Sequence, residues 1–214
     1  MGFEDSLPFV TDVYALIGEG RLVECEKRLR EIIQQEDESI FHVVLDLQSE
    51  KMFPGLDEWL FAGCEDEPVL DSSMVIGLSM GEFEINYDNW KVDASILGGY
   101  SDPPSKYDWF ASGGAPFLCE DYTVEGLDQL ADAFEAYYCF WDENDLDEDT
   151  VEPPVSATVF TATCYLVYTL FLKVIRKIHE QARDKGHDIA RVHLFGFYGG
   201  CLYHSPPLAD SRKS

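Results

Sequence analysis

The sequence predicts an α+β protein of one domain, with a mainly antiparallel sheet packed by amphipathic helices, and three observations carry that expectation. Apolar and polar residues alternate through the middle of the chain, the period of two that marks strands. Before and after that region apolar residues recur every three or four positions, as on a helix that buries one face. The strand-like segments cluster instead of alternating with helices, which disfavours a parallel βαβ array. With 214 residues, 46% of them apolar, the chain is long enough for one substantial core and short for two. The domain is expected over residues 1 to 205, with a loose tail over 206 to 214.

The first helix is signalled by Ser6 ahead of Pro8 and by Val13, Leu16 and Ile17 on one face, and Gly18-Glu19-Gly20 breaks it. Leu22, Cys25, Leu29 and Ile32 then define a second amphipathic helix, with Arg21, Glu24, Lys27, Arg28 and Glu31 outside. Residues 41 to 47, Phe-His-Val-Val-Leu-Asp-Leu, are apolar and β-branched and read as a strand. Residues 48 to 73 show no clear period.

A meander is expected over about 74 to 97. Within it, Gly77-Leu78-Ser79-Met80-Gly81 matches the G-x-S-x-G pattern of a serine hydrolase elbow. An elbow needs a helix after the serine, yet Phe83, Ile85 and Tyr87 alternate with Glu84 and Asn86 as a strand does. The preferred reading is a hairpin turning at Gly81-Glu82, with Met80 facing Phe83, Leu78 facing Ile85 and Ile76 facing Tyr87. Ser79 then lies beside Glu84 as an exposed strand residue. A further strand is expected from Trp90 to Leu97.

A loop follows at 98 to 105. A helix is expected from near Thr123, striped by Leu127, Leu130, Ala131, Phe134, Tyr137 and Tyr138, and then an acidic linker. Residues 155 to 172 carry no charge, and Lys173, Arg176 and Lys177 come next. That run is at the lower limit of a membrane span. Its threonines and its amphipathic continuation instead predict a long helix over 156 to 185, buried for its first half, and no membrane partner. Gly186-His187 ends it, and 189 to 198 reads as the last strand.

Charge is the strongest signal. The net charge is −26, and residues 36 to 152 alone hold thirty acids against Lys51, Lys91 and Lys106. The densest run is Asp142-Glu143-Asn144-Asp145-Leu146-Asp147-Glu148-Asp149-Thr150-Val151-Glu152, just after Trp141. As a solvated linker it needs no function. It is no calcium loop, because no register places glycine sixth among alternating oxygen ligands. As a docking surface, Trp141, Asp142, Glu143, Asp145, Asp147, Glu148 and Asp149 suit a basic protein partner. Direct nucleic-acid binding is disfavoured because the bases cluster only at Lys173, Arg176, Lys177, Arg183 and Lys185, where pairing with the chain's own acids is expected. Adaptation to a saline environment is a competing account of so many acids.

Other constellations are weak. His187, His193, Cys201 and His204 lie close in sequence but not at a zinc-site spacing, so no metal or other cofactor is expected. The six cysteines are scattered, in the manner of buried free thiols in a cytoplasmic protein, and the acidic opening Met1-Gly2-Phe3-Glu4-Asp5 is unlike a cleaved signal. The functional expectation is therefore a non-catalytic, cytoplasmic protein that masks a basic partner, in its most concrete form an inhibitor or immunity protein against a cationic toxin or nuclease. The alternative is a small serine hydrolase using Ser79 with His187, His193 or His204 as base.

Overall fold

The computed structural model describes residues 7–36, 39–66, 70, 74–80, 90–99, 115–116, 120–144, 155–198 and 201–207. Helices α1 (Pro8–Gly18) and α2 (Leu22–Gln34) are followed by a 3-10 helix (Ile40–Asp46), α3 (Ser49–Met52) and α4 (Leu56–Asp66). Strands β1 (Met74–Met80), β2 (Lys91–Gly99), β3 (Ala115–Pro116) and β4 (Tyr122–Thr123) come next, then α5 (Asp128–Asn144) and α6 (Ala157–Lys185). A short 3-10 helix (Asp188–Arg191) leads into β5 (His193–Tyr198) and β6 (Cys201–Ser205). The strands form one sheet in the order β3-β2-β1-β5-β6, with β4 also on β2. Its pairs are antiparallel except β1 with β5, which run parallel. The fold is α+β, as the periodicities predict.

Helix α6 is the centre of the core. Every residue from Val159 to Leu172 is buried, so a charge anywhere in that run would be stranded, which explains why the sequence has none. By length and composition α6 could cross a membrane, and 83% of its most apolar window is buried within the protein. The Ser156 hydroxyl caps its first turn by accepting from the Val159 N–H at 3.2 Å. At the other end Gly186 takes φ 69°, and the His187 N–H bonds the Ala182 carbonyl at 2.8 Å. Helix α2 packs along α6, where the Cys25 thiol and the Thr169 hydroxyl meet at 3.4 Å. Burial pushes the Cys25 thiol up to about 11, which keeps it protonated at neutral pH. Cys164 is also a buried free thiol, whereas Cys139 is exposed, against the expectation for the cysteines as a group.

One sheet face meets α6. Ile76, Leu78, Met80, Val92, Ala94 and Leu194 join the core from this face. A Cβ at Gly196 would stand 2.5 Å from Leu172 Cδ2, so glycine is what lets helix and sheet approach there.

Four sequence readings are corrected. Of the expected strand 41–47, residues 41–46 belong to the 3-10 helix Ile40–Asp46 and Leu47 is its extended cap: only Phe41 and Val44, three apart, are buried within the helix. The Ser39 hydroxyl accepts from the Phe41 N–H, and the Arg30 guanidinium donates to the Leu45 and Leu47 carbonyls at 2.6 and 3.1 Å. These partners satisfy backbone groups that a sheet would otherwise have to satisfy. The second correction concerns the hairpin. β1 is flanked by β2 and β5, with Met80 opposite Val92, Leu78 opposite Ala94 and Ile76 opposite Ile96 in place of Phe83, Ile85 and Tyr87, which lie outside the described residues. The expected turn at Gly81-Glu82 lies outside the described residues.

Third, the helix expected from near Thr123 starts at Asp128, because Tyr122 and Thr123 pair with β2. The Val124 and Glu125 N–H groups donate to the Trp90 and Met52 carbonyls, and Gly126 has φ 70°. Fourth, 189–198 divides into the 3-10 turn and β5, and it is not the last strand: β6 follows and pairs antiparallel to β5.

Candidate protein-docking face

Helix α5 is held by Leu127, Leu130, Ala133 and Phe134, which are buried, with the Phe134 ring against Phe41 at 4.9 Å and Phe160 at 5.4 Å. Among its exposed residues, Asp128, Asp132, Glu135 and Cys139 follow one another at steps of four, three and four, so three carboxylates line one exposed face beside Gln129 and Ala136. Glu125 adds a fourth exposed acid just ahead of the helix. Among the described residues no ion pair reaches any of these four carboxylates, and no basic residue occurs in α5.

The described basic cluster of α6 is engaged elsewhere. On α6, Lys173 meets Glu26 at 2.6 Å, Lys177 meets Glu50 at 3.8 Å and Lys185 meets Asp57 at 4.0 Å. Arg176 and Arg183 pair with Glu180 and Asp184 of their own helix. The Glu26 carboxyl is lowered by Lys173 and Arg30 against the opposing effect of its burial. This matches the expectation that the basic cluster pairs within the molecule.

Of the seven residues put forward from sequence, Trp141, Asp142 and Glu143 occupy the last turn of α5 and do not belong to a linker after it. Asp145, Asp147, Glu148 and Asp149 lie outside the described residues. Acids in a final helical turn meet the negative end of the macrodipole, at roughly 0.3–1 kcal/mol each when exposed. The segment from 145 to 154 has both flanks anchored: α5 before it, and after it Val155, 1% exposed, with Ser156. There the Glu36 carboxylate accepts from both the N–H and the hydroxyl of Ser156. Sequence reasoning missed Glu125, Asp128, Asp132 and Glu135. The signal was available in their helical spacing, but the denser run after them drew the attention.

The hydrolase constellation is not assembled. Ser79 sits inside β1, paired on both sides, opposite Asp93 of β2 and Phe197 of β5. Its hydroxyl bonds the Asp93 carboxylate, whose pKa is raised by burial and by nearby Asp121. His193 is four residues along β5 from the position beside Ser79, about 13 Å at strand spacing. His193 Nδ1 lies 2.8 Å from His204 Nε2, and the His204 ring stacks on Phe195 at 4.3 Å. His187 caps the 3-10 turn and stacks on Phe61. Among the described residues no group of three or more His, Cys, Asp or Glu side chains is arranged to hold a metal ion. No family model, curated protein or solved structure matches this chain.

Proposed function

We propose that the protein is a non-catalytic, cytoplasmic binding module that masks the basic surface of a protein partner, most concretely an inhibitor or immunity protein against a cationic toxin or nuclease. The observation that carries this reading is the carboxylate face of α5, free of ion pairs among the described residues, which runs in sequence directly into the acidic stretch from Asp142 to Asp149. A cation-rich partner relieves the mutual repulsion of these acids. Such a partner is also drawn in by the field of a molecule carrying −26 charges.

Affinity capture from the native host at low and high salt tests this. The expected result is a cationic protein that elutes as ionic strength rises and is lost with the neutral triple variant Asp128→Asn, Asp132→Asn, Glu135→Gln. Captured proteins that are neutral or acidic, or retained regardless of salt, overturn it.

A further inference from the structure

We propose that the groove between the 3-10 helix Ile40–Asp46, α3 and the start of α5 seats a lysine or arginine side chain of the basic partner, an inference that rests on the masking function above. The groove has a volume of about 340 Å³, within the range of side-chain and small-ligand pockets. Buried Met52 and Leu130 line its inner part, and exposed Asp46 and Asp128 stand at its edge. Apolar Val43, Leu47, Met52 and Leu130 beside the carboxylates of Asp46 and Asp128 match a long cationic side chain, whose methylene stem is apolar and whose head is charged.

Its walls are fixed in advance. Arg30 clamps the 3-10 helix through the Leu45 and Leu47 carbonyls, and the Glu125 N–H ties the approach to α5 onto the Met52 carbonyl at 3.0 Å. A receptor ordered before binding loses less entropy when the ligand arrives. Asp128 belongs both to the groove and to the acidic face of α5, so a cation seated here continues that face. Lys51, also exposed at the groove, is the one lining residue that opposes such a guest.

Titration of the full chain with an octalysine peptide at low salt tests the groove, using two surface substitutions and one control. Gln129→Trp, at an exposed lining position, fills the groove without changing charge and is expected to weaken binding about tenfold, since the stem loses its apolar contact. Lys51→Gln is expected to tighten binding about threefold or more, while Lys27→Gln, which removes the same charge from α2, changes it less than about twofold. If Gln129→Trp has no effect and the two lysine variants act alike, the groove is overturned and binding by the diffuse acidic field stands. If the unmodified protein does not bind octalysine at low salt, both the groove and the masking function fall.

Discussion

Glu36, just beyond the end of α2, receives the backbone N–H of Ser156 at 3.3 Å as well as its hydroxyl, 120 residues further along the chain. A capping box normally uses a Glu or Gln in the third helical position for this. In α6 that position is Val159, which is buried in the core, so a carboxylate from the segment after α2 takes over. Ser156→Ala is expected to lower stability by about 1 kcal/mol, and Glu36→Gln by less, because the amide oxygen still accepts one bond. Urea unfolding of both variants and the double variant checks this. Effects that simply add would mean that the two residues do not act as a unit.

The contact between Gly196 and Leu172 gives a second expectation. Gly196→Ala forces Leu172 Cδ2, the end of a fully buried side chain, to move, which is expected to cost about 1–3 kcal/mol. Shortening the neighbour by Leu172→Val should recover part of that loss, so the double variant is more stable than the two single losses predict. Calorimetric unfolding of the four proteins decides it.

Acid sensitivity centres on His179, fully buried on α6 with Nδ1 2.7 Å from the Ser205 hydroxyl. Burial pushes its imidazole down to about 4, against the pull of the Ile189 and Ala190 backbone, from an ordinary value of 6.5. Between those values the unfolded chain binds the proton and the folded one does not, so this group makes stability rise with pH. Its contribution is complete above pH 6.5 and is lost progressively as pH falls towards 4. Replacing it by Asn should flatten the fall in stability between pH 7 and pH 5, measured by urea midpoints. An unchanged slope would assign the acid sensitivity to other groups.

Salt is expected to stabilise the protein. Most described ion pairs are exposed, and such pairs contribute roughly 0–1 kcal/mol each, whereas the acids of the −26 chain repel one another throughout. Raising sodium chloride from about 0.05 to about 0.5 M shortens the screening length severalfold and should raise Tm. A fall in Tm would mean that the pairs of α6 outweigh the repulsion.

Local pattern made α1, α2 and α6 readable, left α3 and α4 unread in a stretch without a clear period, and left the pairing choices open. The boundaries of α6 were visible because Ser156 and Gly186 are local punctuation and the uncharged run is a direct image of burial. The 3-10 helix was not visible, because Phe41 to Leu47 is held by Arg30 and by aromatic neighbours distant in sequence, and a short apolar run carries no period of its own. For β1 the apolar face of Ile76, Leu78 and Met80 was readable but its partner was not. Residues 83–87 and 92–96 offer the same alternation, and only the rest of the fold chooses between them. The carboxylates of α5 were present in the pattern, yet the absence of an ion pair to them among the described residues depends on where the lysines of α6 settle, which is a tertiary fact.

The parallel register that places Val75 beside His193 has a consequence for synthesis. β1 emerges from the ribosome more than a hundred residues before the strand that completes its second edge, so during translation its backbone donors and acceptors on that side wait for a late arrival. Contacts so distant along the chain slow folding. The sheet can close only after residues 193 to 205 are free of the exit tunnel.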